Sequence, residues 1–126
     1  MTASILIVED DPLTAQLLQF VFEREQCDVT WLADGQQAQS HLQEQPPADT
    51  VLLDLMLPHV DGLDLLKQLR SRPAWQHSRV MVLSARDQTS DIRQAFALGA
   101  DDYMTKPFDP QELLVRVQRW SSPRPA

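Results

Sequence analysis

The sequence predicts an α/β protein, a doubly wound domain on a five-stranded parallel sheet. Short apolar runs alternate with segments of helical period, the pattern of strand–helix–strand units. Inside the runs apolar residues fall at consecutive positions, as they do in strands covered on both faces. Four runs also stop at residues able to do chemistry. The run at 5–8 breaks off into Glu9, Asp10 and Asp11, and the run at 51–53 into Asp54. The run at 80–83 ends at Ser84, and the one at 102–105 leads to Lys106 and Pro107. If these runs are parallel neighbours, their polar ends meet at one sheet edge, where ligands bind in open α/β folds.

The elements follow in order. After the first strand, Asp11 before Pro12 is an N-cap with proline at the first helical position. Leu13, Leu17 and Val21, widened by Leu18 and Phe22, predict the buried stripe of that helix. Val29, Trp31 and Leu32 make a short second strand. Asp34 and Gly35 open a helix through Ala38 and Leu42, which Pro46 and Pro47 end. The third strand leads through a loop at 58–62 into a helix with Leu65, Leu66 and Leu69 on one side, closed by Pro73. Beyond the fourth strand, Ile92, Ala95, Phe96 and Gly99 recur at helical spacing, with Gly99 as terminator. In the last helix Asp109 caps, Pro110 follows, Glu112 completes a capping box, and Phe108 with Leu113 forms a hydrophobic staple. Leu114, Val117 and Trp120 continue its stripe. Right-handed crossovers then give the doubly wound fold. A flavodoxin-like strand order, 2-1-3-4-5, sets the first and third strands side by side and brings Asp10, Asp11 and Asp54 together.

The 126 residues suffice for one domain with a real core, and the 43% hydrophobic and 23% charged fractions are ordinary for a globular chain. A formal charge of −7 argues against holding nucleic acid through its phosphates. The single cysteine, Cys27, excludes an internal disulfide and fits a reducing cytosol. No run approaches the ~18–20 apolar residues of a membrane span, and the N-terminus lacks the marks of a signal peptide. The expected location is the cytoplasm. Residues 1–120 read as the domain, and 121–126 as a Ser/Pro tail or the start of a linker.

Gathered carboxylates repel one another and need a proton, a lysine or a metal between them. An all-oxygen cluster at a strand edge suits Mg²⁺, which takes one or two carboxylates and keeps several waters. Lys106 could neutralise a further oxygen, and the Ser84 hydroxyl could donate to another. A carboxylate can then serve as nucleophile and form an acyl phosphate. Asp54, flanked by apolar residues, is hardest to explain as surface charge, because an unpaired buried charge is expensive. A structural salt bridge to Lys106 is its other reading. Asp11 has helix capping as a second role, and Glu9 and Asp10 read equally as solvated acids. His41, His59 and His77 share no ligand spacing, and the three tryptophans read as packing or interface residues. Three glycines and no glycine-rich motif give no sign of a phosphate-cradling loop.

Four segments carry a family resemblance: Ile-Leu-Ile-Val-Glu-Asp-Asp at 5–11, Leu-Leu-Asp-Leu-Met-Leu-Pro at 52–58 with Asp61 and Gly62 following, Val-Leu-Ser-Ala-Arg at 82–86, and Gly-Ala-Asp-Asp-Tyr-Met-Thr-Lys-Pro-Phe at 99–108. In this order and spacing they resemble the receiver domains of bacterial two-component response regulators. The resemblance implies that Asp54 accepts a phosphoryl group from a sensor histidine kinase or a histidine phosphotransfer protein, with Lys106 and Ser84 completing the catalytic set. It further implies that Asp11, Asp54 and the backbone carbonyl of Met56 ligate Mg²⁺, with Asp10 acting through a coordinated water. The Lys106–Pro107 bond would be cis. Ser84 would swing to the phosphoryl group and Tyr103 rotate inward behind it, remodelling the surface of the fourth helix, fifth strand and fifth helix. Met56 and Arg86 stand where members vary and tune phosphoryl lifetime.

The pattern is nearest to receivers of winged-helix transcription factors, which dimerise through charged pairs on the fourth and fifth helices. Asp101, Asp102, Glu112 and Arg116 match that dimer face, whereas Ile92 and Pro123 stand where basic residues are usual. The implied protein is a signalling domain rather than an enzyme toward other molecules. A phosphorylation-dependent homodimer is a candidate state, and neither nucleic acid nor membrane is an expected direct partner. A non-phosphorylated interaction module of the same fold is a rival reading, opposed by the intact set Asp10, Asp11, Asp54, Ser84 and Lys106. A Mg²⁺-dependent small-molecule phosphotransferase is another, but it should carry a specificity loop or cap, and the connections here are short.

Overall fold

The computed structural model describes residues 3–121. Strands β1 (Ser4–Val8), β2 (Asp28–Leu32), β3 (Thr50–Leu53), β4 (Arg79–Ser84) and β5 (Asp102–Thr105) are parallel and ordered β2-β1-β3-β4-β5. Helices α1 (Pro12–Arg24), α2 (Gly35–Glu44), α3 (Gly62–Ser71), α4 (Thr89–Ala97) and α5 (Pro110–Ser121) link or follow them, and a 3₁₀ turn (Pro73–Trp75) precedes β4. The predicted doubly wound fold is the one found. From residue 122 on, the expected tail lies outside the described residues, and so does Pro123. No helix among the described residues is long and apolar enough to cross a membrane.

Alternation along the strands divides the core into two layers. Leu6, Val8, Val51, Leu53, Val80 and Val82 point to one face and pack against α2, α3 and α4. Ile5, Ile7, Leu52, Met81, Leu83 and Met104 point to the other and meet α1 and α5. Each of these side chains is almost wholly removed from water, which stabilises by about 1.5–3 kcal/mol apiece. The central strands can be apolar at consecutive positions because both faces are covered.

Three local expectations need correction. In α1 the buried stripe is Ala15, Leu18, Val21 and Phe22, whereas Leu13 and Leu17 are exposed. A strict four-residue repeat drifts around a 3.6-residue helix, so the row that starts exposed at Leu13 reaches the core face only at Val21. In α4 only Ala95 is buried, and Phe96 is exposed. At α5, Asp109 accepts from the Gln111 amide, but Glu112 turns away from the cap and pairs with Arg116 at 2.8 Å. The opposite charge four residues on outcompetes the capping box. Gly99 does end α4. Its φ of +110° lets the Gly99 and Ala100 amides return to the Phe96 and Ala95 carbonyls.

Arg70 ties the far end of the sheet together. Its guanidinium donates to the carbonyls of Gly99 (2.9 Å), Ser78 (2.7 Å), Trp75 and Gln76, and to Asp101 Oδ2 (2.9 Å). Asp101, one of the residues matched to a dimer face, also accepts the Val80 amide and pairs with Arg79 within the chain. Arg70→Ala should lower unfolding free energy by about 3 kcal/mol in a urea titration, because several half-buried acceptors lose their donor at once. The same change at exposed Arg93 should stay within about 0.5 kcal/mol.

His41 stands edge-on to buried Trp75, with ring centroids 6.1 Å apart, and burial pulls its imidazole below the ordinary 6.5. An unfolded chain then binds the proton more readily than the folded one. Stability should therefore fall as pH drops through about 6.5, and His41→Gln should flatten that part of a melting-temperature profile.

Candidate functional site

The site forms at the carboxyl edge because the strand ladders run one residue past β1, β3 and β5. The Glu9 amide donates to Leu32 O (3.1 Å), Asp54 to Val8 O (3.0 Å) and Lys106 to Ser84 O (2.8 Å). Val8 pairs with Leu53 across β1 and β3, so the next residues, Glu9 and Asp54, stand opposite one another. Both are buried, at 3% and 5% exposure. Lys106, arriving at the end of β5, sets its ammonium between them. It donates to Asp54 Oδ2 at 3.0 Å and to Glu9 Oε1. The second Asp54 oxygen accepts the Met56 amide at 2.9 Å.

Electrostatics follow from that burial. Desolvation first, and then the facing Asp54 carboxylate, pushes Glu9 from 4.5 up to about 8. Desolvation alone would depress the Lys106 ammonium, but its hydrogen bonds to Glu9 and Asp54 outweigh it and hold the group above its ordinary value. Glu9 Oε2 is buried and has no hydrogen-bond partner among the described residues. Oxygens of Glu9, Asp10 and Asp54 all lie within 4.8 Å of one another, a spacing at which one cation could meet all three residues.

Asp11, expected as a direct metal ligand, stands outside this group. Its carboxylate caps α1 by accepting from the Thr14 hydroxyl (2.6 Å) and amide (3.2 Å), and the hydroxyl bond in particular holds its pKa low. Glu9 takes the place in the cluster, and it is no solvated acid. A sequence signal for it existed: Glu9, Asp54 and Ser84 are each the first residue past an apolar run, and Lys106 is the first residue past β5. Asp10 is exposed at the rim, and Met56 and Ala85 are exposed beside the site.

Ser84 and Tyr103 are joined through one backbone unit. Ser84 is fully buried, and its Oγ accepts the Arg86 amide at 3.2 Å. The Tyr103 hydroxyl donates to the Arg86 carbonyl at 2.7 Å, and burial pushes the phenol's pKa up. The Tyr103 side chain is 8% exposed. The Lys106–Pro107 peptide is cis. Of the residues matched to a dimer face, Asp102 and Glu112 both bind Arg116, at 3.3 and 2.8 Å, within the chain itself.

Comparison with known proteins agrees with this arrangement. Residues 5–118 match the model of the response regulator receiver domain. The chain is 40% identical over 118 residues to the alkaline phosphatase synthesis transcriptional regulatory protein PhoP of Bacillus subtilis, covering 94% of this chain and 48% of that protein. It is 39% identical over 118 residues to the phosphate regulon transcriptional regulatory protein PhoB of Rhizobium meliloti, covering 94% and 52%. The chain thus spans about half the length of the curated relatives it matches. Its fold superposes with a TM-score of 0.84 on the receiver domain of the sensor histidine kinase PA1611 from Pseudomonas aeruginosa, solved with a magnesium ion in the active-site cleft, at 30% identity over 95% of this chain and 98% of that one. The buried aspartate, its lysine and the acidic rim therefore belong to a member of the response-regulator receiver family, whose function in two-component systems is to accept a phosphoryl group on an aspartate.

Proposed function

We propose that Asp54 is the phosphoacceptor, that a phosphohistidine of a sensor histidine kinase or histidine phosphotransfer protein is the donor, and that the α4–β5–α5 surface carries the result onward. The observation that carries this reading is the setting of Asp54. It is a buried carboxylate held by Lys106 on one oxygen and by the Met56 amide on the other, at the edge to which β1, β3, β4 and β5 bring their polar ends. In the transfer the phosphorus–nitrogen bond of the donor breaks and a phosphorus–oxygen bond to Asp54 forms. Lys106 moves from the Asp54 oxygen to an oxygen of the incoming group. Such transfer asks mainly for positioning and charge neutralisation.

The residues fit a divalent cation. Glu9 Oε2 is a buried acceptor without a donor, and three carboxylates share one small region with a single lysine. Asp10, Asp54 and the Met56 carbonyl would hold Mg²⁺, with Glu9 behind them, and the ion would neutralise charge on the phosphoryl oxygens. The protein acts on itself alone: its own residues promote both gain and loss of the group.

Switching is read through Arg86. A phosphoryl group adds about −1.5 to −2 charges next to the Ser84 hydroxyl. If Ser84 turns to donate to it, the Arg86 amide loses its acceptor, and the Tyr103 hydroxyl on the same residue's carbonyl feels the change. The loop carrying Arg86 leads straight into α4. Leu13, Leu17 and Phe20 form an exposed apolar row on α1 that starts beside Asp10 and Asp11, which suits docking of a helical donor. A homodimer would have to reopen the Asp102–Arg116–Glu112 cluster. We read residues 1–120 as this receiver unit, working in the cytoplasm.

With Mg²⁺ and acetyl phosphate, intact-protein mass spectrometry should show one added phosphoryl group on the wild-type chain and none on Asp54→Asn. Equal labelling of the two would remove Asp54 from its assigned role.

Mg²⁺ titrations followed by tryptophan fluorescence should separate Glu9 from Asp11, and Trp31, whose indole donates to the Glu9 carbonyl at 2.8 Å, is a built-in reporter. Glu9→Gln should weaken Mg²⁺ binding by about tenfold or more. Asp11→Ala should cost about 1 kcal/mol of stability through the lost cap and leave the Mg²⁺ affinity within about twofold.

A further inference from the structure

The loop that carries Asp54 and Met56 is gripped at two places where a side chain is missing. At Gly62 an added Cβ would lie 2.4 Å from Leu55 Cα and 2.7 Å from Asp54 O. That close approach lets the Gly62 amide close the loop on Leu55 O at 3.0 Å. The second place is distant in sequence. At Gly35, the first residue of α2, an added Cβ would lie 2.5 Å from Val60 Cβ and 3.0 Å from Val60 Cγ2.

Neither glycine has a left-handed φ, so backbone freedom does not call for either. At Gly35 the residue is unfavourable for the helix it begins, by up to about 1 kcal/mol against alanine. What the position gains is the contact: Val60, half-buried against the core, sits on the bare backbone of α2. Between Val60 and Asp54 the loop is stiff. The Val60 amide bonds Pro58 O at 2.9 Å, Asp61 caps α3 through the Leu63 amide at 2.9 Å, and Gly62 bonds Leu55. A push on Val60 therefore has few places to go except toward the Met56 and Asp54 backbone.

We infer that Gly35 is a positioning residue for phosphoryl transfer: by seating Val60, it holds the β3–α3 loop where Asp54 and the Met56 carbonyl can act. The inference rests on the Asp54 reading given above. An alanine at 35 needs Val60 to move by roughly 1 Å to reach ordinary contact, and a shift of that size at a reacting group can cost up to about 100-fold in rate.

A double-mutant cycle tests it, with initial rates of phosphorylation by acetyl phosphate at saturating Mg²⁺. Gly35→Ala should slow the reaction by about 10- to 100-fold. In a Val60→Gly background the same alanine should change the rate by less than about twofold, because the atoms it meets are gone. Asp34→Ala, which removes the α2 cap, should lower the melting temperature while leaving the rate unchanged. If Gly35→Ala does not fold, a folded Gly35→Ala/Val60→Gly chain that matches Val60→Gly supports the seat. A wild-type rate in Gly35→Ala, or an equal slowing in both backgrounds, overturns it. Failure of the Asp54 reading would show separately, as label on Asp54→Asn.

Discussion

One ammonium between two buried carboxylates organises this molecule. Lys106 at the end of β5 reaches across the sheet edge to Asp54 after β3 and Glu9 after β1. Two carboxylates in such a place repel strongly, and removing their cation would cost about 3–5 kcal/mol. The strand order makes the bridge possible, since β1 and β3 are adjacent and β4 alone separates β3 from β5. The bridge in turn holds the first residues beyond three strands in one place. Glu9 has one oxygen on Lys106 and the other without a hydrogen-bond partner among the described residues.

That imbalance sets the cluster apart from a purely structural salt bridge. A buried pair satisfied on every oxygen would be structural. Here one carboxylate is held near about 8 by burial and by its neighbour, and one oxygen of the cluster lacks a donor. On the proposed reading, a bound cation would relieve the crowding of these carboxylates. Lys106 already bonds the oxygen it would have to release, so binding and switching draw on the same contact. Arg86 extends the reach of the change. Its amide and carbonyl serve Ser84 and Tyr103, so on the proposed reading a change at Ser84 would be felt at a single residue just before α4.

Most of the fold was legible because both faces of the sheet are covered and the strands are correspondingly apolar. Helix caps at Asp11, Asp34 and Asp109 were legible for local reasons, each carboxylate meeting an amide two or three residues on. The buried face of α1 was not, because leucines lie all round that helix and tertiary contacts alone choose Ala15 and Leu18 over Leu13 and Leu17. The site divided along the same line. Asp54, Ser84 and Lys106 stood out as polar residues ending apolar runs. Among three successive acids, however, the choice depends on strand register, which sets Glu9 opposite Asp54 and leaves Asp11 to the helix. The partner of Asp101 within the chain was not legible: nothing local announces that Arg70, 31 positions earlier, will pair with it.

The central claim is that Asp54 receives the phosphoryl group and that Lys106 follows it. A crystal structure of the chain with Mg²⁺ and beryllofluoride tests both halves at once. The account predicts beryllium bonded to an Asp54 carboxylate oxygen, Lys106 Nζ transferred from that carboxylate to a fluoride, and the ion among Asp10, Asp54 and the Met56 carbonyl, clear of Asp11. Beryllofluoride seated on another residue, or Lys106 still bridging Glu9 and Asp54 beneath it, would contradict the account.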